Sequence, residues 1–170
     1  MLNLSGQVAV VTGANQGIGK GIARALAKAG CRLAICARNA EKLAATADEL
    51  RSDGAEVIAV PTDVSKEADV VAFFAAIDKQ YGQVDVLVNN AGAFDGGRLD
   101  ELSLAAWENV IGACLTGTFL CSREAFKRMR PQRSGRILNI GSISAQRPRA
   151  GGVPYAAAKF GTWEIGRAHV

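Results

Sequence analysis

Five short apolar runs, each followed by a longer segment of helical period, constrain the fold of this chain more than any single motif does. "QVAVVTG" is a continuous β-branched run, the pattern of a strand buried on both faces. The segment after it carries Ile18, Ile22 and Leu26 at helical spacing and stops at Gly30, a C′ glycine. "CRLAICAR", "AEVIAVPTD", "VDVLVNNAG" and "GRILNIGS" read as four more strands. The intervening patterns predict a helix capped by Asn39, one opening at Ser65 with an acidic first turn, a long one through "LAAWENVIGACLTGTFLCSREAFKRMR", and one beginning near Pro154. Strict alternation implies parallel strands joined by right-handed crossovers: an α/β, doubly wound parallel sheet with helices on both faces. Ligands of such sheets bind beyond the carboxyl ends of the strands. Residues 12–19, Arg38, Asp63, residues 89–92 and Ser142 all fall at such ends.

Composition narrows the classes. With 170 residues, 49% of them hydrophobic, the chain has a one-domain length and enough apolar material for one core. No run approaches 18 apolar residues, and "MLNLSGQVAVV" has no basic n-region or cleavage site, so neither a membrane span nor a signal peptide is expected. A cytoplasmic protein is the expectation. Cys31, Cys36, Cys114 and Cys121 sit in apolar surroundings without a C-x-x-C pair, which suits buried thiols in a reducing compartment. The single histidine, His169, removes histidine triads and most zinc chemistry, and no metal is expected. Much of the net charge of +4 comes from Arg123, Lys127, Arg128, Arg130, Arg133 and Arg136. Without interleaved aromatics these read as a solvated helix end rather than a nucleic-acid surface.

Three constellations carry chemistry. "TGANQGIG" joins the first strand to the first helix, where glycines allow close backbone approach and free N–H groups face an anion. Gly13, Asn15, Gln16, Gly17, Ile18 and Gly19 are therefore candidate dinucleotide contacts, and the missing G-K-[ST] disfavours a triphosphate loop. The second strand ends "CAR", with Ala37 where an acid would bind the ribose of NAD and Arg38 next to it; an arginine there suits the 2′-phosphate, so NADP(H) is favoured and NAD(H) stays possible. In "YAAAK", Tyr155 and Lys159 share a helix face. A lysine ammonium beside a phenol favours the phenolate, which suits tyrosine to give a proton to a carbonyl oxygen as hydride arrives, or to take one in reverse. Ser142, with Ser144 as the backup, could hold the same oxygen.

Taken together, "TGANQGIG", "NNAG", "GRILNIGSISA" and "YAAAK" resemble the short-chain dehydrogenase/reductase family, in particular its 3-oxoacyl-(acyl-carrier-protein) reductase-like members. The resemblance implies a Rossmann-type sheet of strand order 3-2-1-4-5 with the last strands missing. It implies Tyr155 as acid/base, Lys159 as the group that activates it and contacts the nicotinamide ribose, and Ser142 as the group that positions the substrate oxygen. Arg38 and Asn39 would lie at the adenosine ribose, Asp63 and Val64 beside the adenine, and Asn90, Ala91 and Gly92 would support the cofactor and central strand. The implied partners are a small carbonyl or alcohol substrate and a second copy of the chain, as homotetramer or dimer, with neither nucleic acid nor membrane. Where the family has an asparagine behind a proton-relay water, this chain has Cys114, a weaker hydrogen-bonding group, so an altered relay is expected.

Family members run further, and "EIGRAHV" resembles the translation of a common sequencing adapter. The expectation is an incomplete NAD(P)-binding domain over residues 1–163, weak in cofactor binding and turnover, and a non-native tail over 164–170. Two other readings stay open at this stage: an NAD-linked sugar or polyol dehydrogenase, and a non-catalytic dinucleotide-binding protein.

Overall fold

The central strand β1 (Val8–Thr12) has no exposed residue along its length. In the computed structural model, which describes residues 3–168, it lies between β2 (Arg32–Ala37) and β4 (Val86–Asn89). β3 (Val57–Pro61) and β5 (Arg136–Asn139) complete a five-stranded sheet of order β3-β2-β1-β4-β5, with every pairing parallel. Alternate residues of each strand feed two cores. Val8, Val10, Ala34, Cys36 and Leu87 face α3 (Glu67–Tyr81) and α5 (Gly117–Gln132), whose Phe73, Phe74, Leu120 and Met129 fill that side. Ala9, Val11, Leu33 and Ile35 face α1 (Gly17–Lys28) and α2 (Ala40–Ser52) on the other. Phe73 and Phe74 are fully buried and meet edge to face, centroids 5.6 Å apart; each contributes about 1.5–3 kcal/mol through burial.

Local chemistry sets the helix ends. Asn39 caps α2, its side-chain oxygen accepting the Lys42 N–H at 2.8 Å, as expected. The third helix starts later than the sequence pattern suggests, with Lys66 at its N-cap. Ser65 is held outside it because Asp63 Oδ1 accepts both its hydroxyl, at 2.7 Å, and its N–H, at 3.1 Å. The long fourth helix is also not one α-helix: α4 (Leu104–Ile111) passes into a π turn, Gly112–Thr116, before α5 begins.

A smaller third cluster joins α4 to the last helix, α6 (Val153–Ala168), through Val110, Cys114 and Ala158, with Ala93, Leu115 and Tyr155 at its margin. α6 continues without a break past Trp163 to Ala168, so the loss of small-residue patterning at "TWEIGRA" does not end the helix. His169 lies outside the described residues. The basic segment is solvated at Lys127, Arg130, Arg133 and Arg136, as expected, but partly neutralised. Arg123 pairs with Glu67 and Glu124, Lys127 with Glu124, and Arg128 with Asp78 and Glu124, so buried Glu124 collects three cations of its own helix, two of which reach on to Glu67 and Asp78 and tie α5 to α3.

Candidate functional site

All strands are parallel, so their carboxyl ends gather on one rim, and the sequence-selected residues converge there. Thr12, the last residue of β1, uses its Oγ1 to accept the N–H groups of Asn90 at 3.0 Å and Ala91 at 2.9 Å. Asn90 answers by donating from Nδ2 to the carbonyls of Thr12 at 2.9 Å and Gly13 at 3.1 Å. These four bonds lock the glycine turn to the end of β4. The packing has no room for side chains: a Cβ on Gly13 would stand 2.8 Å from the Ala91 Cα, and one on Gly19 would collide with the Gly13 carbonyl oxygen and Asn90 Nδ2. Gly13 also has φ +65°, a left-handed value.

A cleft of about 210 Å³ opens beside this turn, lined by Gly13, Asn15, Gln16, Arg38, Asn39, Asp63, Val64, Ala91 and Gly92 from the expected set. Ala37, Thr62 and Ala113 line it as well, residues with no chemical signature in the sequence. Gly17 and Ile18 open α1 at its edge, Ile18 exposed, while Gly19 and Asn90 act from behind as spacers and ties. α1 has no side-chain cap, so its first-turn N–H groups remain available to an anion. Arg38 is exposed beside the cleft, with Nη1 3.5 Å from Asn109 Oδ1. Burial opposes ionisation of Asp63, but the two bonds from Ser65 and the nearby charges of Arg38 and Lys66 outweigh it and lower its pKa. An open glycine cradle, an uncapped helix end, an exposed guanidinium and an ionised carboxylate fit a dinucleotide.

The second half of the site lies on α6. Lys159 is 6% exposed; its ammonium donates to the Ile140 carbonyl at 2.6 Å and stands 5.6 Å from the Tyr155 ring centroid. Burial lowers its pKa, an effect the neighbouring Cys114 opposes. Ser142 follows β5 and is half-buried; its Oγ accepts the Ser144 N–H at 3.1 Å, which leaves the hydroxyl proton free to donate. Ser144 itself is buried. Cys114, on the π turn, accepts the Ala93 N–H at Sγ (3.4 Å) and donates to the Ala93 carbonyl at 3.3 Å, so one thiol clamps both ends of that residue. Next to Ala93, Phe94 is 75% exposed and meets Tyr155 edge to face, centroids 5.4 Å apart. The sequence motifs give Phe94 no role; the signal is an apolar ring among polar loop residues. The loops on the two sides of this face are joined by a Gly97 N–H to Gly151 carbonyl bond of 2.9 Å.

The profile of the short chain dehydrogenase family matches residues 7–168. The chain belongs to that family. Curated relatives include a 3-oxoacyl-(acyl-carrier-protein) reductase from Synechocystis sp., 39% identical, with 95% of this chain and 66% of the relative covered. A 2,3-dihydro-2,3-dihydroxybenzoate dehydrogenase from Bacillus subtilis is 38% identical over 92% of this chain and 60% of its own length. Among solved structures, the actinorhodin polyketide ketoreductase with NADPH superposes with a TM-score of 0.93 at 41% identity, covering 95% of this chain and 63% of that one. The chain thus spans about two thirds or less of the length of these relatives.

Proposed function

We propose that this chain carries the cofactor cleft and catalytic residues of an NADP-dependent oxidoreductase that interconverts a carbonyl and a secondary alcohol, with 3-oxoacyl-type carbonyls as the favoured substrates. The observation that carries the reading is the buried Lys159, held by the Ile140 carbonyl with its charge beside Tyr155, on the same rim as the glycine cleft. Gly13, Asn15, Gln16 and Asp63, with the open end of α1, would hold the dinucleotide, Gly19 and Asn90 would keep the turn in shape behind it, and Arg38 would take the 2′-phosphate. The bound nicotinamide supplies or accepts the hydride. In reduction, Ser142 donates a hydrogen bond that fixes the substrate oxygen while keeping its own proton, and the Tyr155 hydroxyl passes the one proton transferred to that oxygen. The Lys159 charge then stabilises the phenolate left behind. Likeness to a ketoreductase seen with NADPH supports the cofactor choice.

The four thiols, all buried and unpaired, fit a reducing cytoplasm. Phe119 and Phe126 on α5, with Phe160 and Trp163 on α6, are each about half exposed and form the surface through which a second copy would associate. The test is NADPH consumption by the purified chain against a panel of 3-oxoacyl thioesters, ketones and secondary alcohols. Tyr155→Phe should abolish turnover while leaving NADPH affinity within about twofold, because the lost hydroxyl acts on substrate. Turnover that survives in Tyr155→Phe would remove the tyrosine from the chemistry.

A further inference from the structure

One turn beyond Lys159, Thr162 is 2% exposed and faces the π turn. Its hydroxyl lies 2.9 Å from the Ala158 carbonyl of its own helix and 3.1 Å from the Cys114 carbonyl across the interface. The single hydroxyl proton is shared between the two, and the Cys114 carbonyl does not need the cross-helix bond for its own satisfaction. The Cys114 carbonyl already accepts the Thr118 hydroxyl at 2.8 Å, and a helical threonine ordinarily settles for the carbonyl four residues back. The contact is therefore an added tie between two elements, and the surrounding packing is close. A Cβ on Gly161 would stand 2.8 Å from Leu115 Cδ1, so α6 rests directly on the π turn.

We propose that Thr162 is a positioning residue for the Tyr155–Lys159 pair: its hydroxyl fastens the catalytic helix to the Cys114 carbonyl and so fixes where Lys159 sits. This rests on the catalytic reading of that pair. Lys159 is then held from two sides, by the Ile140 carbonyl beyond β5 and by a helix whose next turn is tied to the π turn. The titratable groups that bear on it among the described residues are Tyr155 on its own helix and Cys114 on the π turn. Loosening the tie lets α6 slide, admits water to the ammonium and moves the tyrosine relative to Ser142. Thr118 supplies an internal control, since its hydroxyl uses the same acceptor but joins nothing to α6.

The experiment compares Thr162→Val, Thr162→Ser and Thr118→Val with the parent chain by two measurements. In the first, Lys159 is acetylated with a water-soluble ester over a pH series and followed by peptide mass spectrometry, a readout that needs no activity. Thr162→Val should move the Lys159 midpoint up toward that of an ordinary lysine, while Thr162→Ser and Thr118→Val keep the parent value. In the second, carbonyl reduction with NADPH should lose about three- to tenfold in kcat in Thr162→Val, the size of one hydrogen bond, with a shifted pH profile and little change in the NADPH KM. Serine should rescue both. An unmoved Lys159 midpoint in Thr162→Val, or an equal shift in Thr118→Val, overturns the proposal. If valine abolishes the cooperative melt, Thr162→Ala takes its place under the same criteria. A parent chain that reduces no carbonyl while the midpoint still moves refutes the catalytic reading and leaves the tie standing.

Discussion

Replacing Arg38 by aspartate tests the proposed basis of cofactor choice. Arg38 is exposed, and its one hydrogen bond is the 3.5 Å contact with Asn109, so removing it should change folding stability by less than about 0.5 kcal/mol. Its value to a 2′-phosphate is larger. Hydrogen bonds to charged groups contribute about 1.5–3 kcal/mol, and at about 1.4 kcal/mol per decade Arg38→Ala should weaken NADPH binding by roughly 10- to 100-fold. Aspartate adds repulsion: a unit charge facing a doubly charged phosphate at about 4 Å costs about 2 kcal/mol in a water-like dielectric. The loss for Arg38→Asp should therefore exceed about 100-fold at low salt and shrink as salt screens it. NADH has no 2′-phosphate and should bind as before or more tightly, because a carboxylate there can accept the ribose hydroxyl. Fluorescence titrations of parent and both variants with NADPH and NADH give the four dissociation constants needed. Equal losses for the two cofactors would refute the reasoning, since Arg38 would then act on the fold of the cleft and not on the phosphate.

Gly19→Ala should cost about 1–3 kcal/mol by overpacking, because the new methyl meets the Gly13 carbonyl and Asn90 Nδ2; thermal melting should show a drop of several degrees and NADPH titration a weaker cleft. At Glu124 burial opposes ionisation, but the bonds from Lys127 and Arg128 prevail and lower its pKa. Its stabilising contribution is thus full above the ordinary glutamate value of 4.5 and is lost as pH falls through the lowered one. Glu124→Gln should lower the melting temperature at pH 7 and flatten the acid limb of the stability curve; an unchanged limb would mean that the cluster of cations does not depend on that charge. Lys159 has the same sign of pH dependence but enters as a cost: burial lowers its pKa, so the folded state is penalised for the bound proton at neutral pH and gains stability as pH rises toward 10.5. Lys159→Met should raise the melting temperature at pH 7, by a margin that narrows in alkali, while abolishing turnover.

The parallel sheet was readable because β1, β2 and β4 are apolar on both faces, and the glycine turn because residues 13–19 must pass against Asn90 and Ala91. Those requirements are local or bear on a single contact. What stayed hidden needed the third dimension. Nothing in the sequence says that Arg128 will find Asp78, since that pairing exists only once α3 lies along α5. The delayed start of α3 depends on Asp63 capturing the Ser65 hydroxyl, in competition with a cap that the residue types alone favour. Thr162 looked like any helical threonine until the π turn brought the Cys114 carbonyl to it. Cys114 read as a weak substitute for an asparagine, yet its sulfur both accepts from and donates to Ala93.

By length and mean hydropathy alone, Leu104–Gln132 would pass for a membrane-crossing helix. The π turn at its centre accounts for that apolarity differently. An extra residue in one turn rotates everything downstream by about 100° about the axis. Val110 and Cys114 therefore look toward α6, whereas Leu120, Cys121, Ala125 and Met129 look toward the sheet. One rod serves two neighbours that stand at an angle to each other, as a camshaft carries lobes out of phase. Deleting a single residue between Gly112 and Thr116 would bring the lobes into register, and the rod could then seat against the sheet or against α6, but not both.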